Sequence, residues 1–253
     1  MGDANPVKTL QYDIPLDNDG TITINITEPM ISAENLGLST WGSSIALASR
    51  LHSVKPEALQ TGSPLQVLEL GAGTGLVGLS AAPIWQADVL LTDLEPIVPA
   101  LHVNIRLNKS VLHSGRGSAR CGCLDWSIPD DLRLSASGSA PNQPTTIHPD
   151  ENKMDIILAA DVIYWEEHPA MLATTILLWL KRSNNARLLL LYPLRIAYLD
   201  QIRELWQLLE AGGLRSVEEE KIAVPGDIDD ELEFSIWQWE ETDVLLHGPA
   251  RRL

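Results

Sequence analysis

Apolar and polar residues alternate with a period of two near the start of the chain, the rhythm of a half-buried strand. Residues 7–14 and 21–27 both show it, and they flank Asp17-Asn18-Asp19-Gly20, a run of turn-forming residues. This predicts an N-terminal β-hairpin. Ser39 or Thr40 is placed to cap a helix reaching about Leu51, with Ile45, Leu47, Ala48 and Leu51 as its apolar positions. From residue 65 the pattern changes to short apolar runs alternating with helical periodicity. Strands are expected at 65–70, 88–92, 118–124, 154–160 and 187–192. Helices are expected from Gly75, over 96–107 with Pro96 in the first turn, over 169–180, and over 197–211 with Ile202, Leu205 and Leu209 on one face. Gly212-Gly213 ends the last of these. Two final strands, 214–222 and 233–240, are joined by the polar segment 225–230 without a helix.

Strand–helix alternation implies a parallel sheet covered on both faces. The expected fold is therefore α/β: a Rossmann-like, seven-stranded sheet with an antiparallel hairpin at its C-terminal end. Residues 1–35 form the N-terminal hairpin extension and 36–253 the main domain. Within that domain 135–153, rich in Ser, Pro, Asn and Gly, reads as a flexible insertion.

A length of 253 residues and an apolar fraction of 45% suit one such domain. The longest apolar runs are strand-sized, far below the roughly eighteen residues of a membrane span. The first residues show no basic start followed by an apolar stretch, and Pro6 stands where myristoylation wants Ser or Thr. No membrane association is expected. The only cysteines, Cys121 and Cys123, are too close for an easy disulfide and have no second Cys/His cluster beside them. They read as reduced thiols in a cytoplasmic protein, with no metal site. A net charge of −16 with scattered Lys and Arg excludes a nucleic-acid partner and suits a cationic one. The acidic surface and the lack of an apolar patch motif favour a monomer.

The chemistry concentrates in two places. Val67-Leu68-Glu69-Leu70-Gly71-Ala72-Gly73-Thr74-Gly75 runs from an apolar strand into a helix. Its glycines allow a sharp turn and close approach to a ligand, but Leu76 stands where a dinucleotide fingerprint wants its third glycine. Asp93 closes the second strand of the alternating region, where a carboxylate can accept hydrogen bonds from a ribose diol. Alternatively it is a carboxylate ahead of the following helix. With no basic residue in the glycine loop, a nucleoside fits better than a pyrophosphate. The second place is Asp161-Val162-Ile163-Tyr164, after the 154–160 strand, at the end of the sheet where ligand crevices lie. Asp161 can orient an incoming amine with Tyr164 as a hydrogen-bonding wall, or it can cap the next helix. Glu166 and Glu167 form either an acidic mouth or a solvated helix start. His168 has no catalytic partner nearby in sequence.

VLELGAGTGLVGL followed by LLTDLE resembles the first two motifs of class I methyltransferases. Together with Thr40-Trp41-Gly42, Leu124-Asp125-Trp126 and Ala159-Ala160-Asp161-Val162-Ile163-Tyr164, the pattern resembles the DxxY-type protein lysine methyltransferases, methyltransferase family 16, over residues 36–240. The resemblance implies S-adenosyl-L-methionine as cofactor. Trp41, Glu69, Gly71, Ala72, Gly73, Asp93, Trp126 and Ala160 would bind it, and Asp161 and Tyr164 would be catalytic. An indole suits adenine or a sulfonium, and a place in the core is the alternative for Trp41 and Trp126. The implied partner is a protein with a target lysine. The stretch from Ile26-Thr27-Glu28-Pro29 to Thr40-Trp41-Gly42 is most similar to fungal members acting on a translation elongation factor, factor two first and factor one-alpha next. A small-molecule acceptor, a non-catalytic binding module and a nicotinamide dehydrogenase are the alternatives.

Overall fold

The N-terminal alternation folds as two antiparallel strands, β1 (Val7–Pro15) and β2 (Thr21–Pro29), paired from Val7 opposite Pro29 to Pro15 opposite Thr21. Their apolar face buries Ile14, Ile24 and Ile26. The computed structural model describes residues 7–29, 39–54, 56, 64–135, 145–223 and 231–241. The expected domain boundary at 35/36 and the linker at 225–230 lie outside them.

Helix α1 (Gly42–Arg50) follows, but neither predicted residue caps it. Thr40 is engaged elsewhere: its N–H donates to Glu28 and its hydroxyl meets that of Thr74 at 2.9 Å. Ile45 lies on the exposed side, whereas Leu47 and Ala48 are buried. Next come β3 (Gln66–Leu70), α2 (Leu76–Trp85), β4 (Asp88–Asp93) and α3 (Val98–Leu107). Pro96 precedes α3 rather than starting it. Pro99 holds the first-turn position, where a missing N–H leaves no helical bond unmade. A short helix α4 (Lys109–Ser114) leads into β5 (Ser118–Cys123), on which both cysteines are buried free thiols. The expected insertion contributes order of its own: β6 (Leu132–Leu134) precedes it and β7 (Thr145–Ile147) lies within it. Then come β8 (Ile156–Ala160), α5 (His168–Trp179), β9 (Arg187–Pro193), a 3-10 turn at Ile196–Tyr198, α6 (Leu199–Ala211), β10 (Leu214–Ala223) and β11 (Glu231–Trp239).

The large sheet has the order β10-β11-β9-β8-β3-β4-β5-β6-β7. Its seven principal strands are those the periodicity predicts, parallel except for the antiparallel β10–β11 end. The short antiparallel β6 and β7 extend the opposite edge. Every residue of β8 is buried, as expected of a central strand covered on both faces. Val67, Leu91, Leu158 and Leu189 pack toward the hairpin, α1 and α2, while Leu68, Leu90, Ile157 and Leu190 pack toward α5 and α6. Chain connections leave β3 and β8 toward opposite sides, which opens a crevice at their carboxyl ends. Among the described residues, no helix is long and apolar enough to cross a membrane.

Two asparagines on α3 and just after it tie the hairpin to this sheet. Asn108 accepts from the Asn25 N–H at 2.9 Å and donates to the Asn25 carbonyl at 2.7 Å. Asn104 accepts from the Thr27 N–H at 2.8 Å and donates to the Thr74 carbonyl at 2.9 Å. Both are fully buried, so they act as a substitute partner strand for the edge of β2. Asn104 also carries that contact into the glycine loop. Asn108→Ala strands one backbone donor and one acceptor of β2. A loss of about 2–4 kcal/mol is expected at roughly 1–2 kcal/mol per group. Thermal unfolding of the variant should shift down by about 5–15 °C.

Candidate functional site

The carboxyl end of β3 turns sharply into α2. Gly71, Gly73 and Gly75 all take the left-handed conformation, with φ of 62°, 54° and 82°. At Gly71 a side chain is excluded twice over, because a Cβ there would also lie 2.8 Å from the Val162 side chain and 3.4 Å from the Trp126 ring. The loop is pinned by backbone bonds from Ala72 N–H to the Thr92 carbonyl at 2.9 Å and from Gly75 N–H to the Ala72 carbonyl at 2.7 Å.

Asp93, at the end of β4, completes the loop. One carboxylate oxygen accepts the Gly73 N–H at 2.8 Å and the other accepts the Leu94 N–H at 2.7 Å. Each oxygen keeps a second acceptor position, and the residue lines the pocket. Asp93 therefore anchors the glycine turn while still offering acceptors to a ligand. Burial pushes its pKa up, opposed by the two backbone bonds.

The pocket brings together almost every residue the sequence points to. Trp41, Gly71, Ala72, Gly73, Asp93, Trp126, Ala160, Asp161 and Tyr164 all line it. Trp126 is half-buried with its ring against Gly71, and Trp41 is partly exposed, so neither is a core tryptophan. Asp161 takes the left-handed conformation with φ 56°, and its N–H continues the sheet by donating to the Leu191 carbonyl at 2.9 Å. It caps no helix: α5 starts seven residues later, after Glu167. Its carboxylate faces the Arg195 guanidinium at 3.9 Å. The Tyr164 phenol is pushed above its usual range by burial first, then by the charges of Asp93 and Asp161. It stays neutral at physiological pH and keeps its O–H.

Glu69 is the exception. It is not on the pocket wall but buried beneath the loop, where it accepts the Gly78 N–H of α2 at 2.9 Å. Being one residue out of step with Leu68 and Leu70, it points to the opposite face of the strand. Desolvation pushes its pKa up to about 8, with the Gly78 bond acting against that and the charge of Asp93 adding to it. A carboxyl whose pKa is raised on folding binds its proton more tightly in the folded state. Its contribution is complete below about pH 4.5 and is lost as the pH rises through about 8. Glu69→Gln keeps an acceptor for Gly78 without a titrating proton. Melting temperatures measured from pH 5 to 8.5 should fall less steeply for this variant than for the parent chain.

His168 is brought to the site without any sequence signal. Its Nδ1 lies 2.9 Å from the Val162 carbonyl and so must carry the proton. The ring packs edge-on against Tyr164 and Trp126, at 4.4 and 5.5 Å between centroids. Burial lowers its pKa, which favours the neutral ring. Ser39, Ser44, Thr74, Leu94 and Met171 are further wall residues that only the fold assembles. Among the described residues the wall carries three aspartates, Asp93, Asp125 and Asp161, and no lysine or arginine.

Comparison with known proteins decides the family. The lysine methyltransferase model matches residues 19–138. A protein-lysine N-methyltransferase of Saccharomyces cerevisiae, EFM2, is 34% identical over 213 residues, covering 78% of this chain and 46% of its own length. The chain belongs to the lysine methyltransferase family. A second member, the protein-lysine N-methyltransferase rrg1 of Schizosaccharomyces pombe, is 34% identical over 76% of this chain and 58% of its own. The chain thus spans about half the length of the curated relatives it matches. The family match begins at residue 19 and so takes in β2 of the hairpin. A SAM-dependent methyltransferase from Agrobacterium tumefaciens shares the fold with a TM-score of 0.54 at 18% identity, covering 90% of this chain and 70% of that one.

Proposed function

We propose that this chain transfers a methyl group from S-adenosylmethionine to the ε-amine of a lysine in a protein partner. The observation that carries the proposal is the pocket's charge: among the described residues its wall holds three aspartates and no lysine or arginine, with one guanidinium, Arg195, standing beside Asp161, next to a left-handed glycine turn. Such a wall repels a pyrophosphate and attracts a sulfonium or an ammonium. This weighs against a nicotinamide dinucleotide.

When bound, S-adenosylmethionine supplies the electrophilic methyl group. The protein's part is to hold and orient. Gly71, Ala72 and Gly73 let the backbone approach the amino-acid end of the cofactor. The remaining acceptor positions of Asp93 suit the ribose hydroxyls, and the Trp126 ring offers a flat face to adenine. Trp41 and Ala160 close the wall. Glu69 supports the loop from below. A lysine titrates near about 10.4 in water, so its ammonium must release a proton to solvent before the nitrogen lone pair can react. Asp161 receives the incoming ammonium and fixes its direction. The neutral Tyr164 hydroxyl bonds the amine on its other side, and desolvation by Trp126 and His168 favours the uncharged form.

The elongation-factor reading rests on the fungal motif resemblance, with factor two first and factor one-alpha next. Incubating the purified chain with methyl-labelled cofactor and a lysate of cells lacking the gene tests the function. A labelled protein band with methyl-lysine on hydrolysis is the expected result. Label confined to small molecules would overturn it.

A further inference from the structure

The eight tryptophans divide into two groups. Trp85, Trp179, Trp237 and Trp239 are fully buried, and Trp206 packs edge-on against Trp237. The other three, Trp41, Trp126 and Trp165, all lie at the carboxyl end of the parallel strands or beside it. Exposed apolar side chains follow the same division. Ten large ones are exposed among the described residues. Six of them are Trp41 on the pocket wall, Leu94 after β4, Ile128 after β5, Tyr164 and Trp165 after β8, and Ile196 after β9. The two most exposed of the ten, Trp165 at 63% and Ile196 at 89%, sit on neighbouring loops. Those loops already meet, since Asp161 on one faces Arg195 on the other at 3.9 Å.

Water-exposed tryptophan and isoleucine on two adjoining loops are unfavourable in an isolated domain, and exposed apolar side chains gathered at one end of the sheet mark a surface that another molecule covers. The charge around the cluster identifies that molecule. Glu95, Asp130, Glu166 and Glu167 are exposed at this end. The arginines here, Arg133 and Arg195, already stand beside Asp131 and Asp161. A surface that is apolar at its centre and acidic around it complements a segment with the opposite border: apolar side chains flanked by cations. Arg195 further shows that the Asp161 carboxylate takes a side-chain cation from this direction.

We infer that Trp165 and Ile196 form the docking face for the substrate protein, and that the segment they seat carries apolar side chains immediately beside the target lysine. The inference rests on the lysine-transfer reading above and goes beyond it by naming what the partner must present. A segment seated on Ile196 arrives next to Arg195, and its lysine takes over the place beside Asp161 that the guanidinium now holds. Neither Trp165 nor Ile196 lines the cofactor pocket, so cofactor binding is independent of both.

The test uses the whole chain with Trp165→Ala and Ile196→Ala combined. Both side chains are largely in solvent, so the melting temperature should stay within a degree or two of the parent. In the labelling assay with dilute lysate, methylation should slow on the order of thirtyfold, the scale of losing an interface anchor. The rate should recover as the lysate is concentrated, and cofactor affinity by calorimetry should not change. Two synthetic peptides of equal charge then read the chemistry, one with leucine on each side of a lysine and one with serine. The leucine peptide should inhibit labelling by the parent chain at about tenfold lower concentration. That difference should vanish in the double variant, and Trp165→Phe should retain most of it.

Labelling by the double variant at the parental rate would overturn the docking face while leaving lysine transfer standing. So would equal inhibition by the two peptides, or a parental dimer that the substitutions convert to monomer. A parental chain that labels no protein would overturn the lysine reading, and the docking face with it.

Discussion

Asp161→Asn should lower the rate of methyl transfer by at least about a thousandfold, on the scale of removing a preorganised charge from a reacting centre. Cofactor affinity should stay within a few-fold. The substitution suits the question because the backbone cannot object to it. Asp161 holds φ at 56°, a conformation asparagine tolerates as well as aspartate does, and its structural bond to Leu191 is made by the main-chain N–H. What changes is the charge. An amide cannot attract an ammonium into a partly desolvated pocket, and its NH2 group presents a donor to an amine that is itself a donor. Arg195 also loses its counter-charge at 3.9 Å, which should leave that loop less tightly held. Initial rates with labelled cofactor, together with calorimetry on the same preparation, separate the two effects. A normal rate would show that the lysine is oriented by other groups, and a parallel collapse of cofactor affinity would move Asp161 from the acceptor to the cofactor.

The sequence carries the central sheet because its strands are buried on both faces. Residues 156–160 and 188–191 are uninterrupted apolar runs, and no helical or surface reading accommodates them between turn signals. The glycine loop is equally legible, since three alternating glycines are the cheapest way to write three left-handed residues. Short-range patterns fail where a contact from far along the chain decides. β6 and β7 are three residues each and exist only because the edge of β5 needs a partner. Thr40 carries the right chemistry for a cap, yet Glu28 and Thr74 claim it. Asn104 and Asn108 look like indifferent helix-surface residues until β2 is laid beside them. Glu69 and His168 show the same limit within the site. Neighbours in sequence place Glu69 in a ligand motif, but the alternation of the strand turns it under the loop. His168 joins the pocket only because α5 begins with its ring against Tyr164.

Asp93→Ala should weaken S-adenosylmethionine binding by about a hundredfold or more, the equivalent of two hydrogen bonds to a charged group at about 1.5 kcal/mol or more each. Two separate losses contribute. The ribose hydroxyls lose their acceptors, and the Gly73 and Leu94 N–H groups lose the carboxylate that holds the turn open for the ligand. Calorimetry with three ligands separates them. S-adenosylhomocysteine shares the ribose, so it should weaken by the same factor as S-adenosylmethionine. An analogue lacking both ribose hydroxyls should already bind the parent chain poorly. If the ribose contacts dominate, Asp93→Ala should weaken that analogue by only a few-fold. If the analogue loses the full hundredfold, the carboxylate acts by anchoring the glycine turn and the ribose assignment fails. If instead the two natural ligands diverge, with the sulfonium losing far more, then Asp93 acts through its charge. The resident negative field of the pocket would then be the chief source of affinity, and the diol would be incidental to it.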